Sequence, residues 1–291
     1  MDCTDNLKTT SRLWGTWRLS VKPSLAKAPR CKEPRKAKLM TRRRFYAPPE
    51  AFAPNGSFVT LAADETRHLR DVLRLKSGDE VYVFNGAGRE VRGNVESVDR
   101  GSTKVSVVSE AEPARAESPL KLALAVALLK GEKFDLVLQK TTELGVARVI
   151  PLITARADVR IRNDDDAERK LVRWRRIALE TTKQCGRARL MEIENPIAFD
   201  HFVERQKVDE LSLMFSERSG TALAAAAGET DERRGRVTAL VGSEGGWTDE
   251  EIDQAREASW KIVTLGGRIL RAETAAIVVA ALLQHRFGDL K

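Results

Sequence analysis

Short stretches between residues 43 and 108 alternate hydrophobic and polar positions, the pattern of half-buried β-strands. Turn residues such as Asn85-Gly86 separate them, and their close spacing predicts a small five-stranded β-barrel. One helix, Asp64–Leu75, is predicted between the second and third strands, with Asp64 as its cap. Its expected buried face is Leu69, Val72, Leu73 and Leu75. The predicted strands are Arg43–Ala47, Phe58–Leu61, Glu80–Phe84, Glu90–Val98 and Lys104–Val108.

A charged, alanine-rich stretch that ends in proline, Glu110–Pro119, closes this region. We take residues 40–112 as the barrel domain and 113–119 as a linker. Beyond the linker, over residues 120–291, apolar runs alternate with helical stretches, which predicts an α/β domain with a mostly parallel sheet. A ligand would bind at the carboxyl ends of its strands. The predicted strands are Leu120–Leu129, Val146–Ile153, Glu210–Phe215, Arg236–Val241 and Lys261–Leu265, and the predicted helices are Glu132–Leu144, Asp166–Gln184, Thr248–Ala258 and Glu273–Phe287.

Residues 1–39 form a basic segment with ten Lys or Arg, three acidic residues and almost no apolar periodicity, so they cannot build a packed core. This composition suits a disordered arm on RNA, a transit-like leader or a start site assigned too early. We favour the last interpretation, because Met40 opens the ordered pattern. No apolar core of a secretory signal follows the basic residues.

The net charge of +8 and the pI of about 9.5 would by themselves suggest a nucleic-acid partner. Residues 1–39 carry +7 of that charge, so the remaining chain is nearly neutral and its overall basicity is no evidence for a nucleic-acid partner. No apolar run approaches 18 residues, which excludes a membrane span. Three scattered cysteines cannot form a disulfide framework, and we expect a reducing, cytoplasmic compartment.

The first candidate for chemistry is Val241–Trp247, a glycine-rich segment that leaves a predicted strand and enters a helix capped by Thr248. Its glycines permit close backbone approach to a ligand, although a tight turn would need them equally. The segment lacks the spacing of a nucleophile elbow, and no P-loop or dinucleotide fingerprint occurs. The three histidines are isolated, so we expect no metal site.

Two more loops follow predicted strands in the same way, Leu265–Ala275 and Phe215–Gly220. Ile269 and Leu270 are unusual in a polar loop and would suit a slot for an adenine ring, although they could equally be ordinary core. Three glycine-containing loops at neighbouring strand ends are harder to explain as turns than one.

These loops, with several further motifs, resemble the RsmE family of 16S ribosomal RNA uridine-N3 methyltransferases from about Arg43 to the C-terminus. Two positions depart from the family pattern: Ser243 stands where proline is usual, and Ala272 where threonine is usual. Neither removes a glycine or a charge. The further motifs are Gln139-Lys140, Glu143-Leu144-Gly145-Val146, Pro151, Arg173-Trp174, Gln184-Cys185-Gly186-Arg187 and Arg286-Phe287-Gly288-Asp289-Leu290.

The resemblance implies an α/β SPOUT methyltransferase domain with a C-terminal trefoil knot, preceded by a small PUA-like β-barrel domain. It also implies a homodimer that binds S-adenosylmethionine and methylates 16S rRNA in the small ribosomal subunit, without a metal. The cofactor residues it implies are Phe215, Ser216, Glu217, Arg218, Ser219, Gly242, Ser243, Glu244, Gly245, Gly246, Leu265, Gly266, Gly267, Arg268, Ile269, Leu270, Arg271, Glu273 and Thr274.

For catalysis we select Arg271, whose guanidinium can bind the uracil oxygens, with Glu217 and Glu273 as acid or base candidates. Helix capping or a structural ion pair would explain either glutamate as well.

A basic track on the long helix predicts RNA contacts, although such a run is often only a solvated helix face. The RNA candidates are Arg43, Arg44, Arg173, Arg175, Arg176, Arg187 and Arg189. Two alternatives stay open, a non-catalytic RNA-binding or ribosome-assembly protein on this fold and a SPOUT enzyme acting on tRNA.

Overall fold

A computed structural model describes residues 42–205, 210–228 and 235–291. The basic segment 1–39 and its three interpretations lie outside the described residues. None of the described helices has the length and apolarity that a bilayer crossing requires.

The first sheet has five strands in the order β1-β3-β4-β5-β2. Only β1 and β3 run parallel, and the remaining pairs are antiparallel, as closely spaced strands with short turns favour. Its described strands form an open half-barrel, because β1 and β2 stand at opposite edges. The strands are β1 Arg44–Tyr46, β2 Phe58–Leu61, β3 Glu80–Phe84, β4 Glu90–Val98 and β5 Thr103–Ala111.

The predicted helix Asp64–Leu75 is only partly correct. It begins as α1, Ala63–Arg67, with Ala62 rather than Asp64 at the N-cap and no side-chain cap, and it continues as a π-helical turn, His68–Val72. The wider turn, in which the Leu73 amide bonds to the His68 carbonyl at 3.0 Å, shifts the helical face. Leu69 and Leu75 are buried as expected, whereas Val72 is 65% and Leu73 38% exposed.

The second sheet is entirely parallel, with the order β12-β10-β11-β6-β7-β8 and β9 also paired to β7. Helices pack on it, and two apolar clusters fill its sides. The strands are β6 Lys121–Ala127, β7 Arg148–Ile153, β8 Glu192–Ile193, β9 Ile197–Ala198, β10 Leu211–Phe215, β11 Arg236–Val241 and β12 Lys261–Val263. The helices are α2 Lys133–Glu143, α3 Asp164–Cys185, α4 Phe199–Val203, α5 Leu223–Ala227, α6 Asp249–Glu257 and α7 Ala272–Phe287. A 3-10 turn, Pro49–Ala51, lies between β1 and β2 of the first sheet.

Local signals explain the ends of the long helices. Asn163 caps α3 by accepting from the Asp166 amide, and Gly186 ends it with a φ of 89° that other residues rarely adopt. Thr248 and Glu251 form a reciprocal capping box on α6, so the predicted Thr248 cap is confirmed.

Buried charges join the first sheet to the second. The Arg44 guanidinium pairs with Glu90 at 2.9 Å and donates to the Arg187 and Lys183 carbonyls at 2.7 and 3.2 Å. The Lys183 carbonyl lies in the last turn of α3, which offers it no intrahelical partner, and the Arg187 carbonyl lies two residues beyond the end of the helix. Arg44, on β1 of the first sheet, therefore caps the C-terminal end of α3.

Candidate functional site

The three predicted loops follow β10, β11 and β12, which are neighbours in the second sheet. Because these strands are parallel, their carboxyl ends meet at one edge, and the loops enclose a cleft of about 560 Å³ there. The cleft is lined by Lys133, Phe215, Ser216, Glu217, Gly242, Ser243, Glu244, Gly245, Gly246, Trp247, Leu265, Arg268, Ile269, Leu270, Arg271, Ala272 and Ala275.

Most predicted loop residues lie in this lining, and six do not. Arg218, Ser219, Gly266, Gly267, Glu273 and Thr274 belong to the same loops but are absent from the lining. Conversely, Lys133, Trp247, Ala272 and Ala275 line the cleft without having been predicted as cofactor residues. All three loops therefore reach the cleft, although some of their individual residues do not line it.

The β11 loop requires glycine for two close approaches. A Cβ at Gly245 would lie 2.8 Å from the Cβ of Arg156, and one at Gly242 would lie 3.1 Å from the Trp247 ring. The first distance is shorter than side chains tolerate, so the loop folds against Arg156 only without a side chain at position 245.

Arg156, in the loop after β7, clasps the β11 loop. Its guanidinium donates to the carbonyls of Gly245 and Trp247 at 3.3 and 3.0 Å, and its own carbonyl accepts the Ser243 hydroxyl at 3.1 Å. Ser243, which departs from the family's proline, is thus a buried tether. Sequence reasoning did not identify Arg156.

Arg218, in the loop after β10, also contacts the β11 loop. Its guanidinium donates to the Trp247 carbonyl at 2.9 Å and pairs with Asp249 at 2.8 Å. Trp247, which is 1% exposed, donates in turn from its indole Nε1 to the Phe215 carbonyl at 2.9 Å. The loops after β7, β10 and β11 are therefore one hydrogen-bonded unit.

Lys133, the first residue of α2, connects a fourth element to the cleft. Its Nζ lies 2.9 Å from Oε1 of Glu244. This hydrogen bond raises the pKa of Lys133 above its ordinary value. Burial is the largest single influence on Glu244 and acts to raise its pKa, but the hydrogen bonds from Lys133 and from backbone amides, together with the Lys133 charge, outweigh burial and the pKa is lowered. Both groups are consequently charged near neutral pH.

The three catalytic candidates take different positions. Arg271, at the N-cap of α7, and Glu217, after β10, are exposed and line the cleft. Glu273 lies outside the lining, and its Oε2 is buried with no hydrogen-bond partner. Among the described residues, no three His, Cys, Asp or Glu side chains form a group that could hold a metal ion.

The structure corrects two RNA candidates. Arg44 and Arg187 are 9% and 5% exposed, because their guanidinium groups pair with Glu90 and Glu117 inside the fold. Neither is available to a phosphate. Local sequence could not show this, because the paired residues are 46 and 70 positions apart.

The other RNA candidates reach the surface. Arg43 and Arg173 are exposed but pair with Asp79 and Asp135. Arg175, Arg176 and Arg189 are exposed, and their side chains make no ion pair within the described part of the chain. Trp174 lies in the hydrophobic core, as expected for the apolar residue of its helix, and packs against Phe134.

Fold and site together define an α/β RNA methyltransferase with a PUA-like N-terminal domain. The family model for an RNA methyltransferase domain matches residues 116–284, and that for an RNA methyltransferase PUA domain matches residues 61–108. The chain belongs to the ribosomal RNA small subunit methyltransferase E family.

Several relatives carry that family name. The protein from Synechocystis sp. is 35% identical over 225 residues, which cover 77% of this chain and 71% of the relative. The Bacillus subtilis protein is 29% identical, with 78% and 90% covered. These alignments span most of both chains, so the relationship is not confined to one domain.

Two solved structures are similar over nearly their whole length. A ribosomal RNA small subunit methyltransferase E from Neisseria gonorrhoeae, bound to S-adenosylmethionine, has a TM-score of 0.76 and 31% identity, covering 86% of this chain and 100% of that one. A putative methyltransferase from Legionella pneumophila in complex with the same cofactor has a TM-score of 0.77 and 34% identity, covering 86% and 99%.

Proposed function

We propose that this protein transfers a methyl group from S-adenosylmethionine to N3 of a uridine in 16S rRNA of the small ribosomal subunit. The observation that carries the proposal is the cleft built by three loops at the carboxyl ends of β10, β11 and β12. Family membership supplies the reaction, because relatives are named as small subunit rRNA methyltransferases and structural neighbours hold this cofactor.

The cleft has the size and chemistry for S-adenosylmethionine. About 560 Å³ lies within the range of small-molecule sites, and Leu265, Ile269 and Leu270 offer apolar surface for an adenine ring. Gly242 and Gly245, which pack against Trp247 and Arg156 without a side chain, keep the β11 loop in place as one wall of the cleft. When bound there, the cofactor supplies an electrophilic methyl group on a positively charged sulfur.

The protein's part of the reaction is to present N3 and manage its proton. N3 lies on the Watson–Crick edge, so the uridine must be unpaired or flipped out to enter the cleft. Arg271 donates to the uracil oxygens, on which negative charge grows as N3 loses its proton. Glu217, which lines the cleft, accepts that proton. Glu273 is the second candidate, because its buried Oε2 accepts no hydrogen bond.

We further propose that the protein acts as a homodimer in the cytoplasm. Leu136 on α2 and Leu282 on α7 are 40% and 36% exposed, although these two helices pack on each other. Apolar side chains left on packed helices suit a second copy. Size-exclusion chromatography with light scattering checks the assembly, with Leu136→Lys expected to shift it toward the monomer.

Nucleoside mass spectrometry of 16S rRNA from a deletion strain tests the function. We expect 3-methyluridine to disappear and to return with the wild-type gene. Loss of a modified nucleoside from tRNA instead would support the tRNA alternative. No cofactor binding in calorimetry would support the non-catalytic one.

Arg271→Ala tests the role of the guanidinium. We expect kcat to fall by about 10²-fold or more, as when one donor to a developing oxyanion is removed. Affinity for S-adenosylmethionine, measured by calorimetry, should change far less. Arg286→Ala, near the other end of α7, is the matched control. A wild-type rate in Arg271→Ala would overturn the assignment.

A further inference from the structure

Two cavities adjoin along the edge of the second sheet. The first, of about 510 Å³, extends from Tyr46 on β1 to Ile193, and the second, of about 470 Å³, extends from Arg175 to Arg205. Because they share Arg175, Glu192 and Ile193, they form one continuous depression. We call it the edge groove.

The edge groove has an excess of unpaired positive charge. Arg175, Arg176 and Arg205 are exposed, and none of their guanidinium groups makes a hydrogen bond or ion pair within the described residues. Of the two groove glutamates, Glu194 is neutralised by Arg148 at 3.0 Å. Glu192 is therefore the one groove carboxylate in the described chain without an ion-pair partner.

Other cations on the same helix differ in this respect. Arg173 pairs with Asp135 on α2, and Lys183 pairs with Glu65 at 2.7 Å. An arginine held in an ion pair has fewer free N–H donors for an anion, whereas Arg175 and Arg176 keep all of theirs. The free donors on α3 thus concentrate where α3 faces the groove.

The groove leads toward the cofactor cleft. β9 pairs with Leu152 and Ile153, at the carboxyl end of β7, which is the edge of the sheet that carries the cofactor loops. From β9 to β11 there are three strand spacings, roughly 14 Å. A few nucleotides of an extended strand cover that distance. At the far end, Tyr46 contributes an aromatic ring.

We propose that the edge groove binds the single-stranded rRNA segment that flanks the target uridine. Arg175, Arg176 and Arg205 hold its phosphates, and Tyr46 contacts a base, which is the combination used by single-strand binding sites. A peptide added as a strand is less suited, because β8 and β9 are two residues each and Pro196 interrupts their edge. The proposal rests on the proposed rRNA substrate.

The test is steady-state methylation of small subunits from the deletion strain by a variant with Arg175, Arg176 and Arg205 all changed to alanine. We expect the KM for RNA to rise about tenfold or more, with kcat and the KM for S-adenosylmethionine unchanged. Loss of three phosphate contacts should reduce the slope of log KM against log salt by about 2. Arg100→Ala, in the β4–β5 turn, is the exposed control.

The outcomes separate the two proposals. If the wild-type protein does not methylate the subunits, the proposed function fails. If it does, and the triple variant keeps the wild-type KM for RNA and salt slope, the edge groove is not the RNA path. Calorimetry with S-adenosylmethionine verifies that the variant is folded. A Tyr46→Leu variant should raise the KM for RNA about fivefold without changing the salt slope, as expected for lost stacking.

Discussion

The indole Nε1 of Trp247 donates to the carbonyl of Phe215 over 2.9 Å and thereby joins the loops that follow β11 and β10. Both residues line the cofactor cleft. The bond fixes the distance between two walls of the cleft, so we expect it to act on cofactor affinity as well as on stability.

Trp247→Phe removes this bond and leaves the Phe215 carbonyl buried without its partner. We expect the free energy of unfolding to fall by about 1–3 kcal/mol. Trp260→Phe is a matched control, because Trp260 is also buried and donates to the Val203 carbonyl at 3.0 Å, outside the cleft lining. Denaturant unfolding should show similar losses in both variants, and calorimetry should show weaker S-adenosylmethionine binding only in Trp247→Phe. Equal affinities would contradict the role of the bond in the cleft.

Arg156→Ala releases the clasp on the β11 loop. Two hydrogen bonds from a charged donor are lost, so we expect the Kd for S-adenosylmethionine to rise about tenfold or more. Ser243→Ala, which removes only the neutral tether to the Arg156 carbonyl, should have a smaller effect. Arg162→Ala, in the same segment between β7 and α3 and without a side-chain bond in the described residues, should bind normally. Calorimetry ranks the three variants, and an unchanged affinity in Arg156→Ala would refute the clasp.

The Lys133–Glu244 pair predicts a flat pH dependence of cofactor affinity. The pKa of Glu244 is lowered below 4.5 and that of Lys133 is raised above 10.5. Any stabilisation that the pair gives the loop is therefore lost only as the pH falls through the lowered pKa or rises through the raised one. Calorimetry should give one affinity from about pH 5.5 to about pH 9. Glu244→Gln should bind more weakly by the same factor throughout, and a wild-type decline between neutral pH and about pH 5.5 that is absent in this variant would contradict the prediction.

The Arg44–Glu90 pair predicts a large loss of stability when one partner is removed. Arg44→Met leaves Glu90, which is 1% exposed, with only the partly exposed Arg42, 3.1 Å away, to compensate its charge, so we expect a loss of up to about 3–5 kcal/mol. Arg44→Met with Glu90→Leu should recover part of that loss. Arg43→Met, which breaks only an exposed pair 3.7 Å long, should cost less than about 1 kcal/mol. Urea unfolding measures all three, and a double variant no more stable than the single one would refute the buried-charge explanation.

Elements with strong local signals were predictable from the sequence. Phe58–Leu61, Glu80–Phe84 and Arg236–Val241 have the predicted bounds, and Thr248 caps α6 through contacts three residues away. The α1 region failed because a π-helical turn changes the periodicity that the prediction assumes.

The site was predictable only as three loops. Lys133 reaches Glu244 across 111 positions, and Arg156 reaches Trp247 across 91. Such pairings depend on the order of strands in the sheet, which hydrophobic periodicity does not specify. The same holds for Arg44 and Arg187, whose burial follows from partners on distant elements.

The way Arg44 closes α3 makes the methyltransferase half dependent on its neighbour. The Lys183 carbonyl, in the last turn of α3, accepts a hydrogen bond from Arg44 on β1, so a fragment lacking the first sheet would leave this carbonyl without that donor. The first sheet therefore stabilises the end of α3. Deletion of residues 42–112 should fray α3 near Lys183 before it affects the cofactor loops. A cut at the linker should therefore cost the methyltransferase half stability at the end of its longest helix, where Arg44 and Glu65 of the first half contact Lys183.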